Sequence, residues 1–315
     1  MGWSIADIPR QDGVTAVVTG ANSGIGFVTA RELGAAGAHV TIACRDQAKG
    51  PDALTELRRL EPEASFELVT LDLSSLASVS RASADLRESV DRIDLLVNNA
   101  GVMIPPHRLS ADGYELQLAT NHLGHFALTA QLAGLLAASP LPRVVTVSSA
   151  VHRSGSINFQ DINSEKRYRR YDAYAQSKLA NLLFTYELQR RATDAGWEML
   201  SLASHPGYSA TNLQFSGLGM DGQPALLRLT GLANALLAQD AESGALPTLY
   251  AATSPDVPPG AFVGPDGPFE MRGAPKLVEP APAARDEIAA RRLWELSEEL
   301  TGTGFEMPEG EPVRR

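Results

Sequence analysis

The chain has 315 residues, 44% of them hydrophobic and 20% charged, with 27 Lys and Arg against 37 Asp and Glu and a formal net charge of −10. That length holds one large domain or two modest ones, and an acidic balance without a long basic stretch excludes a nucleic-acid binder. The one cysteine, Cys44, excludes an internal disulfide and a Cys-rich zinc site and suits a reducing compartment.

The first ten residues, MGWSIADIPR, lack a cationic start and an apolar block, so they do not read as a secretory signal. The longest apolar stretch, 225–237, is broken by Arg228 and is too short for a bilayer. A soluble, cytoplasmic protein with no membrane span is expected.

Residues 14–19 (VTAVVT) are a β-branched run of the kind a buried parallel strand requires. A glycine-rich turn follows, then a predicted helix over 25–36 that Gly37 ends. Strands are predicted over 39–44, 66–71, 95–98, 143–148 and 199–204. Helices are predicted between them over 47–60, 76–90, 111–137 and 171–195. This alternation predicts an α/β fold: a doubly wound parallel sheet of Rossmann type with helices on both faces. Past Pro206 the alternation weakens. The stretch 208–240 is rich in Gly, Leu and Ala, and 254–282 is rich in Pro and Gly with one short strand near 261–263. An amphipathic helix over 286–300 and a frayed tail over 306–315 complete the chain. No repeat and no linker divides it, so a single domain over 1–315 is expected.

The first strand runs into Thr19-Gly20-Ala21-Asn22-Ser23-Gly24-Ile25-Gly26. Glycines let the backbone turn tightly and approach a pyrophosphate, and the helix that follows offers free N–H groups to it. Such a cluster can be a mere turn; the strand before it and the helix after it are what a dinucleotide site requires. Gly20, Asn22, Ser23, Gly24, Ile25 and Gly26 are therefore candidate cofactor contacts.

The spacing Gly-x-x-x-Gly-x-Gly, the NNAG at 98–101 and Tyr174-x-x-x-Lys178 together resemble the short-chain dehydrogenase/reductase family, over roughly residues 12–300. RELGAAGAHVTIACRD (31–46), NHLGHF (121–126), SKLANLLF (177–184) and HPG (205–207) resemble its retinol dehydrogenase branch, with the WW-domain oxidoreductase and protochlorophyllide reductase relatives. The gap of 25 between Ser149 and Tyr174 is long for the family and fits that branch (174 − 149). The animal retinol enzymes carry a membrane anchor ahead of the domain, and no such anchor is expected here. The reductases act through a cysteine near the substrate, whereas Cys44 ends the second predicted strand.

The resemblance implies a set of roles. Cys44 stands where the family's NAD-specific Asp sits, and Arg45 follows it. A guanidinium suits a 2′-phosphate, so NADP (NADPH) is the expected cofactor. The alternative for Arg45 is a solvated surface arginine, and Asp46 is expected to cap the next helix. Asp72, with Leu73 beside it, is placed for the adenine, although a helix N-cap would also account for it. Asn98, Ala100 and Gly101 are expected along the adenosine ribose and cofactor channel. Pro206, Gly207 and Thr211 match the segment that holds the nicotinamide carboxamide.

Asn121, Ser149, Tyr174 and Lys178 match the family's active site. Residues four apart share a helix face, so Lys178 lies beside Tyr174. A nearby ammonium and the positive nicotinamide ring would lower the phenol's pKa and fit Tyr174 as acid or base. Ser149, rather than Ser148, is expected to hydrogen-bond the substrate oxygen. The resemblance assigns Asn121 to a water between Lys178 and bulk solvent.

His122 and His125 have metal-ligand spacing but no third ligand, so helix packing is the better reading and no metal is expected. His205 is expected to support the Pro206 turn. The basic cluster 166–170 reads as a solvated loop, with an anionic substrate handle as the sharper alternative. Leu213, Phe215, Leu218, Met220, Leu226, Leu227 and Leu229 fall where the family's substrate lid lies and fit a lipophilic small-molecule substrate; packing on the sheet edge is the alternative. The expected function is an NADP(H)-dependent oxidoreductase interconverting a carbonyl and an alcohol. The second reading is a catalytically silent NADP(H) sensor or scaffold, which the complete set of four site residues disfavours. A homo-oligomer is compatible with the sequence.

Overall fold

The computed structural model describes residues 2–208 and 240–308. The first half is a run of alternating units: β1 (Thr15–Thr19), α1 (Gly24–Ala35), β2 (His39–Cys44), α2 (Lys49–Leu60), β3 (Ser65–Thr70), α3 (Leu76–Ser89) and β4 (Leu95–Asn98). Three short helices follow, α4 (Leu116–Leu118), α5 (Gly124–Gln131) and α6 (Ala133–Ala137). Then come β5 (Arg143–Val147), α7 (Arg170–Asp194), β6 (Leu200–Ser204), α8 (Ala241–Thr253), β7 (Phe262–Pro265), β8 (Pro275–Leu277) and α9 (Glu287–Thr301).

The strands form one sheet in the order β3-β2-β1-β4-β5-β6-β7-β8. All pairs are parallel except the last, β7 with β8. The predicted doubly wound fold is therefore present. Side chains alternate across the sheet. Ala16 and Val18 join the layer of Leu33, Leu57 and Leu249, while Val17 joins the opposite layer of Leu86, Phe126 and Phe184. Both faces are covered, which is why these strands are almost continuously apolar. The order reverses between β1 and β4. Such a reversal opens a crevice beyond the carboxyl ends of the strands, and that is where ligands of these sheets bind.

The 111–137 helix is shorter and less regular than its sequence suggests. Residues 109 and 115 form an isolated antiparallel bridge, and the helix begins only after Glu115, whose carboxylate accepts from the Gln117 and Leu118 amides at 2.9 and 2.8 Å. Ala119–Leu123 is a π-helical turn between α4 and α5. At Leu132 the backbone leaves helical angles (φ −95°, ψ 2°), separating α5 from α6. An apolar repeat cannot report such a change of winding.

Two elements had no clear sequence signal. Helix α8 carries Gly244 and Pro247, both poor helix formers. It holds because Asp240 caps it, accepting from the Ser243 amide at 2.7 Å, and because Ala245 and Leu249 are completely buried. Strand β8 has three residues and only β7 for a neighbour. The expected substrate segment 208–240, apart from its two end residues, lies outside the described residues, as do Thr211 and the seven apolar residues named in that segment.

Helix α5 is pressed against the end of the third βα connection. A Cβ added at Gly124 would run into the Leu73 carbonyl and come within 2.8 Å of the Leu73 Cβ. Glycine to alanine in a helix interior normally gains about 1 kcal/mol. Overpacking against rigid backbone costs about 1–3 kcal/mol, and here it is the larger effect. Gly124→Ala should therefore lower the urea midpoint; a raised midpoint would show that α5 is free to move away from Leu73.

Candidate active site

The turn after β1 is bare backbone. Gly20 and Gly24 have φ of 67° and 57°, and a Cβ at Gly20 would lie 2.9 Å from Ala100. A Cβ at Gly26 would strike the Asn99 side-chain amide and the Gly20 carbonyl. Ser23 occupies the N-cap position of α1 in an extended conformation, yet its side chain makes no capping bond. The first amides of α1 are thus left without a side-chain acceptor at the positive end of a 12-residue helix. This cradle fits a diphosphate. Asn22, Ser23 and Gly24 are partly exposed along it, and Ile25 and Gly26 are buried behind it.

At the end of β2, Cys44 is buried, and its thiol accepts from the Ala21 and Asn22 amides. Burial pushes that thiol up to about 11, so it stays protonated. Arg45 is exposed and makes no hydrogen bond or ion pair among the described residues. Asp46 is occupied, accepting from the Ala48 and Lys49 amides at 3.0 Å each. Asp72 accepts from the amide and hydroxyl of Ser74 at 2.9 and 2.6 Å, while the cap of α3 is Ser75. Leu73 is buried. Ala100, Gly101, Pro206 and Gly207 are partly exposed beyond the strand ends.

Asn98 does not lie on the channel as expected. It is fully buried, and its amide donates to Thr129 on α5 at 3.1 Å. Its neighbour Asn99 faces the turn instead and donates to the Thr19 carbonyl at 2.8 Å. Successive residues of a strand point to opposite faces, so a one-residue shift in role moves the side chain across the sheet.

The four residues matched to the active site converge past β4, β5 and into α7. Ser148 and Ser149 part ways at the end of β5. Ser148 is buried and donates to the Lys178 carbonyl at 2.7 Å, whereas Ser149 is partly exposed and hydrogen-bonds Tyr174. Lys178 Nζ donates to the Val147 carbonyl at 3.1 Å and lies 5.8 Å from the centre of the Tyr174 ring. A Cβ at Gly101 would be 3.1 Å from Asn121 Oδ1 and 3.6 Å from Lys178 Nζ, so both groups lie close to that glycine. The Asn121 amide is fully engaged: it accepts from Val102 N at 2.7 Å and donates to Val102 O and Ser177 Oγ at 3.0 and 2.9 Å.

Burial governs the ionisation of this group. It pushes the Tyr174 phenol up to about 12, against the lowering effect of the Ser149 hydrogen bond. It also pushes the Lys178 ammonium down to about 8. In the free chain the phenol is therefore not lowered by its lysine as the spacing alone suggests; desolvation is the larger effect.

Several residues that shape the site carried no sequence signal. Gln117 is buried, accepting from Ile104 N at 2.9 Å and donating to Tyr168 Oη and the Arg170 carbonyl at 3.0 Å each. It ties the loop after β4 to the start of α7. Ile104 sits at φ 54°, an unusual angle for a β-branched residue. His152 donates from Nδ1 to the Ser149 carbonyl at 2.7 Å and accepts from Ala281 N at 3.0 Å. His205 is also buried and supports the turn after β6. It donates to Glu270 at 3.0 Å and accepts from Gly207 N at 3.3 Å. That donation, with Arg153, holds the Glu270 carboxyl down at about 2. In the basic cluster, Lys166, Arg167 and Arg169 are exposed, and Arg169 lies 3.7 Å from Asp172. No group of three metal-ligating side chains occurs among the described residues, and none of their helices is long and apolar enough to cross a membrane.

A sequence profile described as short chain dehydrogenase matches residues 14–216. Homo sapiens retinol dehydrogenase 14 is 40% identical over 303 residues, covering 92% of this chain and 87% of its own. Homo sapiens retinol dehydrogenase 13 is 39% identical over 313 residues, covering 99% and 91%. Among solved structures, an uncharacterized protein from Mycobacterium Paratuberculosis has a TM-score of 0.81 at 45% identity, covering 97% of this chain and 100% of that one. The Pseudomonas aeruginosa RhlG/NADP active-site complex has a TM-score of 0.64 at 25% identity, covering 83% and 98%.

Burial holds His122 at about 3 and both His125 and His152 at about 4, all below the ordinary 6.5. The folded chain therefore binds fewer protons than the unfolded chain between those values and 6.5. Their contribution to stability is complete above about pH 6.5 and is lost as the pH falls toward 4. At pH 5 the loss is about 2 kcal/mol per imidazole. Urea unfolding at pH 7 and pH 5 should show a clear drop, reduced in His122→Gln; equal stability at the two pH values would mean that these rings are not buried neutral.

Proposed function

The chain belongs to the short-chain dehydrogenase family, oxidoreductases that use a nicotinamide dinucleotide, and from that premise we propose that it interconverts a carbonyl and an alcohol on a lipophilic small molecule with NADP(H). The observation that carries this reading is the partly exposed Ser149 beside the buried pair Tyr174 and Lys178, next to a bare diphosphate cradle. A scaffold would not need a phenol and an ammonium kept out of water, where both cost free energy. The names of the retinol dehydrogenases support a lipophilic substrate. The RhlG/NADP complex supports the choice of cofactor.

The preference for NADP(H) rests on Arg45 and Cys44. A carboxylate at position 44 would repel a 2′-phosphate, and a buried neutral thiol does not. The exposed Arg45 guanidinium is free to pair with that phosphate. Gly20, Asn22, Ser23, Gly24, Ile25 and Gly26 would hold the diphosphate. Asp72, Leu73, Ala100 and Gly101 would line the adenosine side, and Pro206, Gly207 and Thr211 the nicotinamide end. These residues would hold a nicotinamide dinucleotide, whose chemistry there would be hydride transfer to or from the substrate carbon.

The chain's own residues handle the proton. With its phenol at about 12, Tyr174 keeps its proton at neutral pH and can donate it to a carbonyl oxygen. Ser149 fixes that oxygen with a second hydrogen bond as charge develops. Lys178, anchored on the Val147 carbonyl, holds positive charge near the phenol and stabilises phenolate once the proton has left. Gly101, without a side chain, leaves room for both Asn121 Oδ1 and Lys178 Nζ.

The test is a screen of medium-chain and isoprenoid aldehydes and ketones with NADPH and with NADH, together with Arg45→Ala. NADPH should be oxidised in preference to NADH. The arginine change should weaken NADPH binding about tenfold to a hundredfold and leave NADH binding unchanged. Equal use of both cofactors by the wild type would remove the 2′-phosphate role from Arg45. No oxidation of either cofactor with any carbonyl would favour the scaffold.

A further inference from the structure

His125 lies on α5, four residues after Asn121, and is completely enclosed. Its two ring nitrogens have different partners. Nδ1 is 3.1 Å from the Asn121 carbonyl, and Nε2 is 2.9 Å from the Thr19 hydroxyl. A carbonyl can only accept, so Nδ1 carries the proton and Nε2 is the acceptor. The Thr19 hydroxyl must then donate to Nε2. Its two lone pairs are also used, accepting from Asn99 N at 2.9 Å and Ala100 N at 3.0 Å. The hydroxyl also lies 3.3 Å from the Val97 carbonyl, but Nε2 at 2.9 Å is its nearer acceptor, and with the neutral imidazole in this tautomer the hydroxyl is saturated by one donation and two acceptances.

These partners belong to the two halves of the site. Asn121 sits in the π-helical turn that faces Lys178. Asn99 and Ala100 follow β4 and border the glycine turn, with Asn99 also bonded to the Thr19 carbonyl. We propose that His125 is a positioning residue that locks the catalytic turn at Asn121 to the cofactor-side backbone at Asn99 and Ala100, one ring nitrogen serving each. It touches no reacting atom; it sets the distance between the two halves. Its burial, which holds it at about 4, keeps the required neutral form across the working pH range. The inference rests on the proposed function for the roles of the two halves, but the bonds themselves do not depend on it.

The two nitrogens can be separated by substitution. Asparagine places an amide N–H near the position of Nδ1, and glutamine places an acceptor oxygen near that of Nε2. His125→Leu removes both bonds. It should weaken NADPH binding about three- to tenfold and lower kcat at least tenfold, the scale of one or two lost hydrogen bonds. His125→Gln should restore NADPH affinity to near wild type while kcat stays low. His125→Asn should restore most of kcat while NADPH affinity stays weak. A merely structural role predicts that affinity, kcat and melting temperature fall together in both variants, and that parallel loss would overturn the proposal.

If His125→Leu does not fold, the comparison of Asn with Gln decides alone. If the wild type turns over no carbonyl, the proposed function fails, but NADPH titration still tests this inference. Tight binding by the glutamine variant with weak binding by the asparagine variant supports it, and equal binding contradicts it.

Discussion

A turn that must offer bare amides to an anion cannot be held by side chains of its own. The segment from Gly20 to Gly26 faces this constraint, and much of the neighbouring structure answers it. The Thr19 hydroxyl gathers the amides of Asn99 and Ala100, the Asn99 side chain closes on the Thr19 carbonyl, and the Cys44 thiol takes the Ala21 and Asn22 amides from the side of β2. Each bond comes from a strand adjacent to β1 in the sheet. The turn's shape is therefore set by the sheet order, and the crevice opens where that order reverses.

The catalytic side obeys a related rule. Burying a phenol and an ammonium side by side is costly unless nearby polar groups are satisfied. The Val147 carbonyl accepts from both Lys178 Nζ and Asn181 Nδ2, at 3.1 and 3.0 Å, and Ser148 takes the Lys178 carbonyl. Buried imidazoles brace the backbone at Asn121, Ser149 and Gly207, each with its tautomer fixed by an obligate partner. His125 and His152, held neutral by burial, suit this task because they both donate and accept without adding charge to a site that already holds Lys178.

Much of this was legible in the sequence. The strand and helix alternation predicted the sheet, and the glycine spacing, NNAG and Tyr174-x-x-x-Lys178 pointed to segments that the structure places at the crevice. Strands β2 and β4 fall on their predicted bounds. What was not legible has physical causes. The side of β4 that Asn98 faces depends on where the strand ends, and a dipeptide of two asparagines does not reveal it. The π-helical turn leaves apolar periodicity almost unchanged. Gly244 and Pro247 hide α8, which tertiary burial stabilises. The roles of Thr19, Gln117, His125 and His152 arise from partners as far as 129 residues away, which no local pattern encodes.

The central claim is that Tyr174 moves the proton while the rest of the site holds cofactor and substrate around it. Tyr174→Phe keeps the ring and removes only the hydroxyl. On a carbonyl that the wild type reduces, the variant should bind NADPH with unchanged affinity and lose at least about 10²–10⁴-fold in kcat. Near-normal turnover by Tyr174→Phe would contradict the account.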